Sequence, residues 1–277
     1  MLTRIATSSV RGLLVALLVA MPSLILPGTS PDAAEIVTLV AIFAAVLTTI
    51  EYASSYPSIL EFRDAPPFNR IRYLSLFLSI VMIAVLCRAQ VYPNAFSDFV
   101  QALGALIGQV VDFPMSPVRL MVTFLGDSAD SADIALIRSA AGLSYFISLM
   151  SLLIFLIILR FAGWPSGIKG FNVWVNLPTF DPTAGADVVD RLRRDAWFNV
   201  GLGFILPFLV PVAAKAGVAL VGPAQFASPH TLIWTMAAWA FLPASLFMRG
   251  IAMARVADMI AERRRRGRRG AAALVTA

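Results

Sequence analysis

Six apolar runs dominate this chain, and each contains few charged residues. They are Gly12–Leu26, Ala33–Ile50, Tyr73–Ala89, Ile134–Phe161, Trp197–Val221 and Thr231–Ile251. The hydrocarbon core of a bilayer is about 30 Å thick and accommodates a helix of about 20 apolar residues. Because only helices and closed barrels satisfy their backbone hydrogen bonds in lipid, the runs predict an all-α integral membrane protein with a bundle of about six transmembrane helices.

The first run is short and follows two basic residues, Arg4 and Arg11. That arrangement also occurs in secretory signal peptides. Small residues suited to a cleavage site are poorly placed after the run, since Pro31 and Asp32 follow it. We therefore expect residues 12–26 to be a retained span, with a cleaved signal as the alternative.

Composition limits the chemistry that the chain can carry. Hydrophobic residues make up 59% of the chain and charged residues 14%, whereas a soluble domain is about half apolar and a quarter charged. There is one cysteine, Cys87, and one histidine, His230. A single thiol cannot form an internal disulfide, and one Cys with one His cannot make a zinc site of those residues. We expect no metal, no cofactor and no catalytic residues.

The distribution of basic residues predicts the orientation. With the N-terminus inside, only Arg88, Arg119, Arg138 and Lys215 fall outside, which leaves 18 of the 22 Lys and Arg residues inside. Cytoplasmic connections carry the excess of Lys and Arg in membrane proteins. The chain is therefore expected in the inner (cytoplasmic) membrane, multi-pass, with both termini cytoplasmic.

The connection between the third and fourth spans has structure of its own. Phe96, Val100, Leu103, Ile107 and Val110 recur at helical spacing, which predicts an amphipathic helix. A second short helix is predicted over Val118–Leu125. Together they make one or two amphipathic or re-entrant helices on the outer face. The sequence leaves open whether residues 95–125 lie in the interface or enter the membrane.

The chain divides into a single polytopic membrane domain, residues 1–262, and a polybasic tail, residues 263–277. The tail arginines are Arg263, Arg264, Arg265, Arg266, Arg268 and Arg269. Basic residues beside a membrane are attracted to anionic lipids, each by about 1 kcal/mol. We interpret the tail as a lipid-headgroup binding segment. Nucleic acid is not an expected partner, because no aromatic residues alternate with the arginines.

Two inner connections carry patterned side chains. The first mixes charges and aromatic rings, and its candidate docking residues are Glu61, Arg63, Asp64, Phe68 and Arg70. Ala65-Pro66-Pro67 within it predicts an extended polyproline conformation. In the second connection, the alternation in Phe171–Leu177 favours a short strand or an extended interfacial segment. These loops are candidate contacts for other membrane proteins, with interfacial packing as the alternative.

Glycines and prolines interrupt the fifth span, and Lys215 lies toward its outer end. Pro207, Pro211 and Lys215 form a candidate transport path, because broken membrane helices often line substrate sites. Glycine and proline are also common in ordinary membrane helices. No acidic residue lies at the centre of a span, which argues against proton coupling.

Ser144 and His230 superficially resemble a catalytic serine–histidine pair, but their depths in the predicted helices argue against it. Ser144 lies about 15 Å into its predicted helix, whereas His230 lies at a helix start, so their depths disagree. The leading hypothesis is a non-enzymatic accessory, assembly or scaffold protein that acts through its inner loops and tail. The alternative is a small-molecule permease or channel-like carrier beside the fifth helix.

Overall fold

A computed structural model describes most of the chain, and the regular secondary structure of the residues that it describes is helical. The described residues are 2–123, 130–161, 164, 172–180, 187–221 and 228–275. In chain order the helices are α1 Leu2–Ile25, α2 Pro31–Ala53, α3 Phe68–Ala89, α4 Ala95–Val111, α5 Pro117–Thr123, α6 Ser131–Phe161, α7 Val173–Asn176, α8 Val188–Val221 and α9 Pro229–Val275.

Six of these helices, α1, α2, α3, α6, α8 and α9, are long and apolar enough to cross a membrane. The six predicted spans are therefore confirmed as helices, although several extend beyond their apolar runs. Helix α2 begins where the Ser30 side chain accepts the N–H of Ala33 and Pro31 occupies the first turn. Such a cap satisfies a backbone donor that the helix itself leaves free.

The first of two apolar cores is formed mainly by the second half of α3 and the first halves of α6 and α9. Its fully buried side chains include Ile80 and Ile83 of α3 and Ile233 and Met236 of α9. Helix α6 supplies a face of small residues, and four of its serines are buried: Ser139, Ser144, Ser148 and Ser151. Small side chains let membrane helices approach closely.

Helices α1 and α2 form a hairpin that joins the rest of the bundle through α1. Gly12 of α1 lies directly against α2, since a Cβ atom there would be 2.3 Å from Thr49 Oγ1 and 2.6 Å from the Ala45 carbonyl oxygen. Helix α1 also contacts α3 and α9, whereas α2 packs against α1 and no other described helix. Tyr73 of α3 donates a hydrogen bond to the Leu14 carbonyl, at 2.8 Å.

Helix α4 packs against α6 through only part of the predicted apolar face. Val100 of that face is buried, and Leu103 and Ile107 are partly buried against the first core, whereas Phe96 and Val110 are exposed. The other buried residues of α4 are Ser97, Gly104 and Gly108. The reason is close backbone contact, because a Cβ atom on Gly142 of α6 would lie 2.5 Å from the Gly108 Cα atom. Short helix α5 confirms the predicted start of a second helix, and residues 124–125 of that prediction lie outside the described residues.

A salt-bridge network fixes this region to α6. Asp112, just after α4, binds Arg138 of α6 at 2.8 Å and Arg119 of α5 at 2.7 Å. Its side chain is only 5% exposed. That residues 95–125 lie in the membrane interface, or alternatively enter the membrane, stays a prediction.

The second apolar core lies at one end of the bundle, where the α2–α3 loop, the end of α6, the region of α7, the start of α8 and the middle of α9 meet. We call this the arginine-rich end, after Arg4, Arg63, Arg72 and Arg249. The core contains Phe62, Phe68, Phe155, Trp164, Leu177, Leu192 and Met253. It brings three chain segments that follow different spans into one folded unit.

Two predictions for these loops were wrong. The predicted strand Phe171–Leu177 contains the helical turn α7, and Phe171 lies outside the described residues. A lone strand would leave its backbone unpaired, whereas here the Asn176 and Leu177 amides bond carbonyls of Asn172 and Val173. The predicted polyproline segment adopts turns, with a cis bond between Pro66 and Pro67.

Candidate functional site

The predicted docking loop and the tail both lie at the arginine-rich end, where an ion pair joins the loop to the bundle. Arg249 of α9 donates two hydrogen bonds to Glu61, from Nε at 2.6 Å and from a terminal nitrogen at 2.8 Å. Its other terminal nitrogen donates to Asn199 of α8 at 2.8 Å. Thr179 completes the set by donating to Glu61 at 2.9 Å. This bidentate, charge-assisted geometry is the strong form of an ion pair.

Aromatic rings fill the space beneath that ion pair. Phe68 lies 4.5 Å from Phe62 and 5.7 Å from Phe155, measured between ring centroids, and it is fully buried. Trp164 lies 5.8 Å from Phe62, and its indole N–H donates to the Ala65 carbonyl at 3.3 Å. Phe68 therefore packs inside the protein and presents no surface to a partner.

The guanidinium of Arg72, also at this end, lies near two aromatic rings. Its guanidinium lies 5.2 Å from the Phe68 ring centroid and 5.8 Å from that of Phe241, and one terminal nitrogen donates to Asn69 at 3.3 Å. Its Nε atom is buried without a partner among the described residues. The stacked rings hold the charged plane in place.

The α2–α3 loop is held at its start by a carboxylate that sequence reasoning missed. Glu51, 8% exposed, accepts hydrogen bonds from the backbone N–H groups of Ser58, Ile59 and Leu60, at 2.9 to 3.1 Å for its closer oxygen. The Ser58 hydroxyl also donates to it. A single carboxylate thereby satisfies three consecutive amides, which the proximity of Glu51 to a serine-rich loop hinted at only weakly.

Asn176 of α7, also missed from the sequence, ties the same loop to the second inner connection. Its backbone carbonyl accepts the Phe62 N–H at 2.7 Å, and its side-chain oxygen accepts the Asp64 N–H at 3.1 Å. The residue is 2% exposed. Nothing in the sequence alternation of this segment indicated that role, because it depends on a neighbour more than 100 positions away.

The structure separates the five candidate docking residues into two groups. Arg63, whose side chain is 5% exposed, donates to the Ser54 carbonyl at 2.6 Å and to Asp64 at 3.0 Å. Together with Phe68 and Glu61 it is committed to internal contacts. Asp64 and Arg70 are exposed, so a partner approaching this loop would meet those two side chains. The docking role itself stays a prediction.

The tail arginines extend α9 as exposed side chains on a continuous helix. Arg264 donates to Asp187, before α8, at 2.7 Å, and Arg266 pairs with Glu262 one turn earlier. Asp187 also accepts the Val189 N–H at 2.7 Å. That backbone hydrogen bond, followed by the one from Arg264, holds the pKa of the Asp187 carboxyl below its usual value.

The predicted break in the fifth span is absent, because α8 is continuous through Pro207 and Pro211. The indole N–H of Trp239 on α9 donates to the Pro207 carbonyl at 3.1 Å, and both prolines are buried. Lys215 is exposed. Pro207, Pro211 and Lys215 line none of five surface clefts formed by the described residues.

The serine and histidine considered from the sequence have separate partners. The Ser144 hydroxyl donates to the Ala140 carbonyl of its own helix at 2.7 Å. His230 lies 3.3 Å from the Ser23 hydroxyl at the opposite end of the bundle. Within the described part of the chain, no group of three or more His, Cys, Asp or Glu residues is placed to hold a metal ion.

Comparison with known proteins adds no assignment. The chain matches no family model, no curated protein and no solved structure.

Proposed function

We propose that this protein is a non-enzymatic accessory, assembly or scaffold protein of the inner membrane, with both termini in the cytoplasm. The observation that carries the proposal is the position of α2, which is apolar along its length and contacts α1 alone among the described helices. The orientation follows from the concentration of Lys and Arg at the arginine-rich end.

Helix α2 is held firmly although most of its circumference is free. Gly12 fixes its contact with α1, and Glu51 anchors its last turn to the following loop. Leu39 and Phe43 on the free side are 68% and 69% exposed. A positioned apolar helix with an open face suits packing against a helix of a second membrane protein, by the close van der Waals contact that drives such association.

The arginine-rich end would supply the cytoplasmic part of such a contact. Its loops are fixed by the Glu61–Arg249 pair and the aromatic core, which leaves Asp64 and Arg70 as exposed charges on a rigid surface. The tail arginines would hold the membrane surface through anionic lipid headgroups. The carrier alternative gains no support from α8, whose prolines are buried in helix contacts.

Photocrosslinking in native membranes tests the proposal. A benzophenone amino acid placed at Leu39 or Phe43 is expected to give a discrete protein adduct of defined mass. The matched control position is Phe204 of α8, which is 65% exposed on a helix that pairs with α9 and does not contact α2. Adducts with lipid alone at all three positions would refute the scaffold role of α2.

A further inference from the structure

A polar cleft of about 430 Å³ opens at the arginine-rich end, between the start of α1, the end of α2 and the loop that follows. Three arginines, Arg4, Arg11 and Arg63, and one carboxylate, Asp64, line it. The proposed scaffold function uses neither Arg4 nor Arg11.

The charge of the cleft is uneven, because Asp64 is already neutralised. Arg63 binds Asp64 through two nitrogens, at 3.0 and 3.2 Å, and gives another to the Ser54 carbonyl. Arg4 and Arg11 have no carboxylate partner among the described residues. The four charged groups sum to two positive charges, and both belong to α1.

Most of the hydrogen-bond donors of those two arginines are available. A guanidinium carries five N–H donors. Arg4 gives one of them to the Ser54 carbonyl. The Arg11 guanidinium lies over the Tyr52 ring, 4.2 Å from its centroid, and makes no hydrogen bond to another described residue. The attraction between the cation and the ring holds the guanidinium at this place and leaves its N–H donors free.

The two arginines lie on the same helix and line the same cleft. They are seven residues apart on α1, which is about two helical turns, so they share a face and stand about 10 Å apart along the axis. Planar guanidinium groups match the oxygens of a phosphate and bind them in pairs. The cleft lies where two apolar helices end beside a tyrosine, which is the level that headgroups occupy in a membrane.

We propose that this cleft binds a phosphate group, with the Arg4 and Arg11 guanidiniums as its ligands. The chemistry is shared by the headgroup of an anionic phospholipid and by free phosphate. The site is separate from the exposed arginines of the tail. It differs from a simple positive surface in that the Tyr52 ring holds Arg11 in a cleft that Arg4 also lines.

The test uses the full chain with its six tail arginines replaced by Gln, purified in a neutral detergent. Phosphatidylglycerol binding is measured by native mass spectrometry in this protein and in its Arg11→Gln variant. Arg11 makes no hydrogen bond to a described residue, so its removal should leave the fold intact, which an unchanged melting temperature checks. We expect the variant to bind at least about tenfold more weakly, as the loss of a charge-assisted contact implies.

Two further variants separate a built site from mere charge. Arg11→Lys keeps the charge and loses the planar fork, so it should also bind more weakly than the parent protein. Arg88→Gln, at the opposite end of α3, removes an exposed arginine and should change nothing. Equal lipid binding by the parent, Arg11→Gln and Arg11→Lys proteins would overturn the proposal. Should Arg11→Gln melt early, Arg4→Lys replaces it in the same comparison.

The source of the phosphate is decided by competition. Displacement of the lipid by millimolar inorganic phosphate would show that the site accepts the free ion. Retention of the lipid in phosphate, with loss in Arg11→Gln, would identify a phospholipid site. Either result supports the proposal, whereas binding of phosphatidylcholine and phosphatidylglycerol with equal strength, unchanged in Arg11→Gln, contradicts it.

Discussion

Glu61 and Arg249 are 188 positions apart in the sequence, and their two hydrogen bonds connect the α2–α3 loop to α9. The Glu61 side chain is 13% exposed and that of Arg249 29%, so water screens the pair only in part. Removing one partner of such a pair costs more than the pair contributes, because the other charge stays behind without compensation. The Glu61 carboxylate is thus one of the contacts that fix the loop, beside those of Glu51 and Asn176.

We therefore predict that Glu61→Gln lowers the free energy of unfolding by about 1.5–3 kcal/mol, the range for hydrogen bonds to charged groups. Denaturant unfolding in micelles, followed by tryptophan fluorescence, measures the change. Asp258→Asn is the matched control, since the Arg193–Asp258 pair has both side chains more than half exposed and should cost under about 1 kcal/mol. Equal effects of the two substitutions would contradict the role given to Glu61.

At the scale of the helices, the packing of α4 against α6 depends on two glycines that face each other. Gly108 and Gly142 bring the two backbones together, so a methyl group at Gly142 would collide with the Gly108 Cα atom at 2.5 Å and its nitrogen at 2.8 Å. Backbone atoms cannot yield as the end of a flexible side chain can. Gly201 of α8, by contrast, has nothing within 4 Å of a Cβ position.

We predict that Gly142→Ala separates α4 from α6 and lowers the melting temperature in detergent, with an overpacking cost of about 1–3 kcal/mol. Gly201→Ala should be neutral or slightly stabilising, because alanine is the better helix former and meets no obstacle. A Gly142→Ala protein as stable as Gly201→Ala would show that the close contact is unimportant.

The start of α8 and the tail of α9 are joined by a titratable group. Asp187 accepts the Val189 N–H and binds Arg264, and both contacts hold its pKa below the usual value for a carboxyl. A depressed pKa in the folded protein means that the contact is present at neutral pH. It is lost only when the pH falls below the ordinary carboxyl range and through the depressed value.

The expected outcome is that amide exchange in the first turn of α8, corrected for the intrinsic rate, stays slow down to that acidic window and then rises. In Asp187→Asn the side chain cannot titrate, so exchange there should show no step over the same pH range. A step that persists in the Asn variant would assign the transition to another group. Hydrogen–deuterium exchange of the peptide that contains Val189 is the measurement.

At the scale of the whole molecule, the helices were predictable and their contacts were not. Long apolar runs report their environment directly, so six helices followed from the sequence, although α9 continues far past Ile251. The Glu61–Arg249 pair and the burial of Phe68 depend on which loops meet, and neither period nor composition carries that information. The face of α4 was predicted only in part, because hydrophobicity identifies Val100, Leu103 and Ile107, while the contact with α6 also selects small size at Gly104 and Gly108.

The orientation of the molecule can also be tested at this scale. The contacts of Arg4 with Ser54 and of Arg249 with Glu61 bring the start of α1 and the middle of α9 to one end of the bundle. Helix α9 has 47 residues, or about 70 Å, which is more than twice the hydrocarbon thickness. In a bundle that spans a membrane, the tail arginines would extend beyond the hydrocarbon on the side of the arginine-rich end.

We predict that green fluorescent protein fused after Ala277 is fluorescent in cells, because that reporter folds in the cytoplasm, and that alkaline phosphatase fused at the same place is inactive. The same two reporters inserted after Val91, between α3 and α4 at the opposite end, should behave in the reverse way. The physical reason is the cost of moving an arginine-rich segment across the bilayer, which holds such segments on the side of synthesis. An active phosphatase after Ala277 would invert the map, and it would place the phosphate cleft and the docking loop on the outer side.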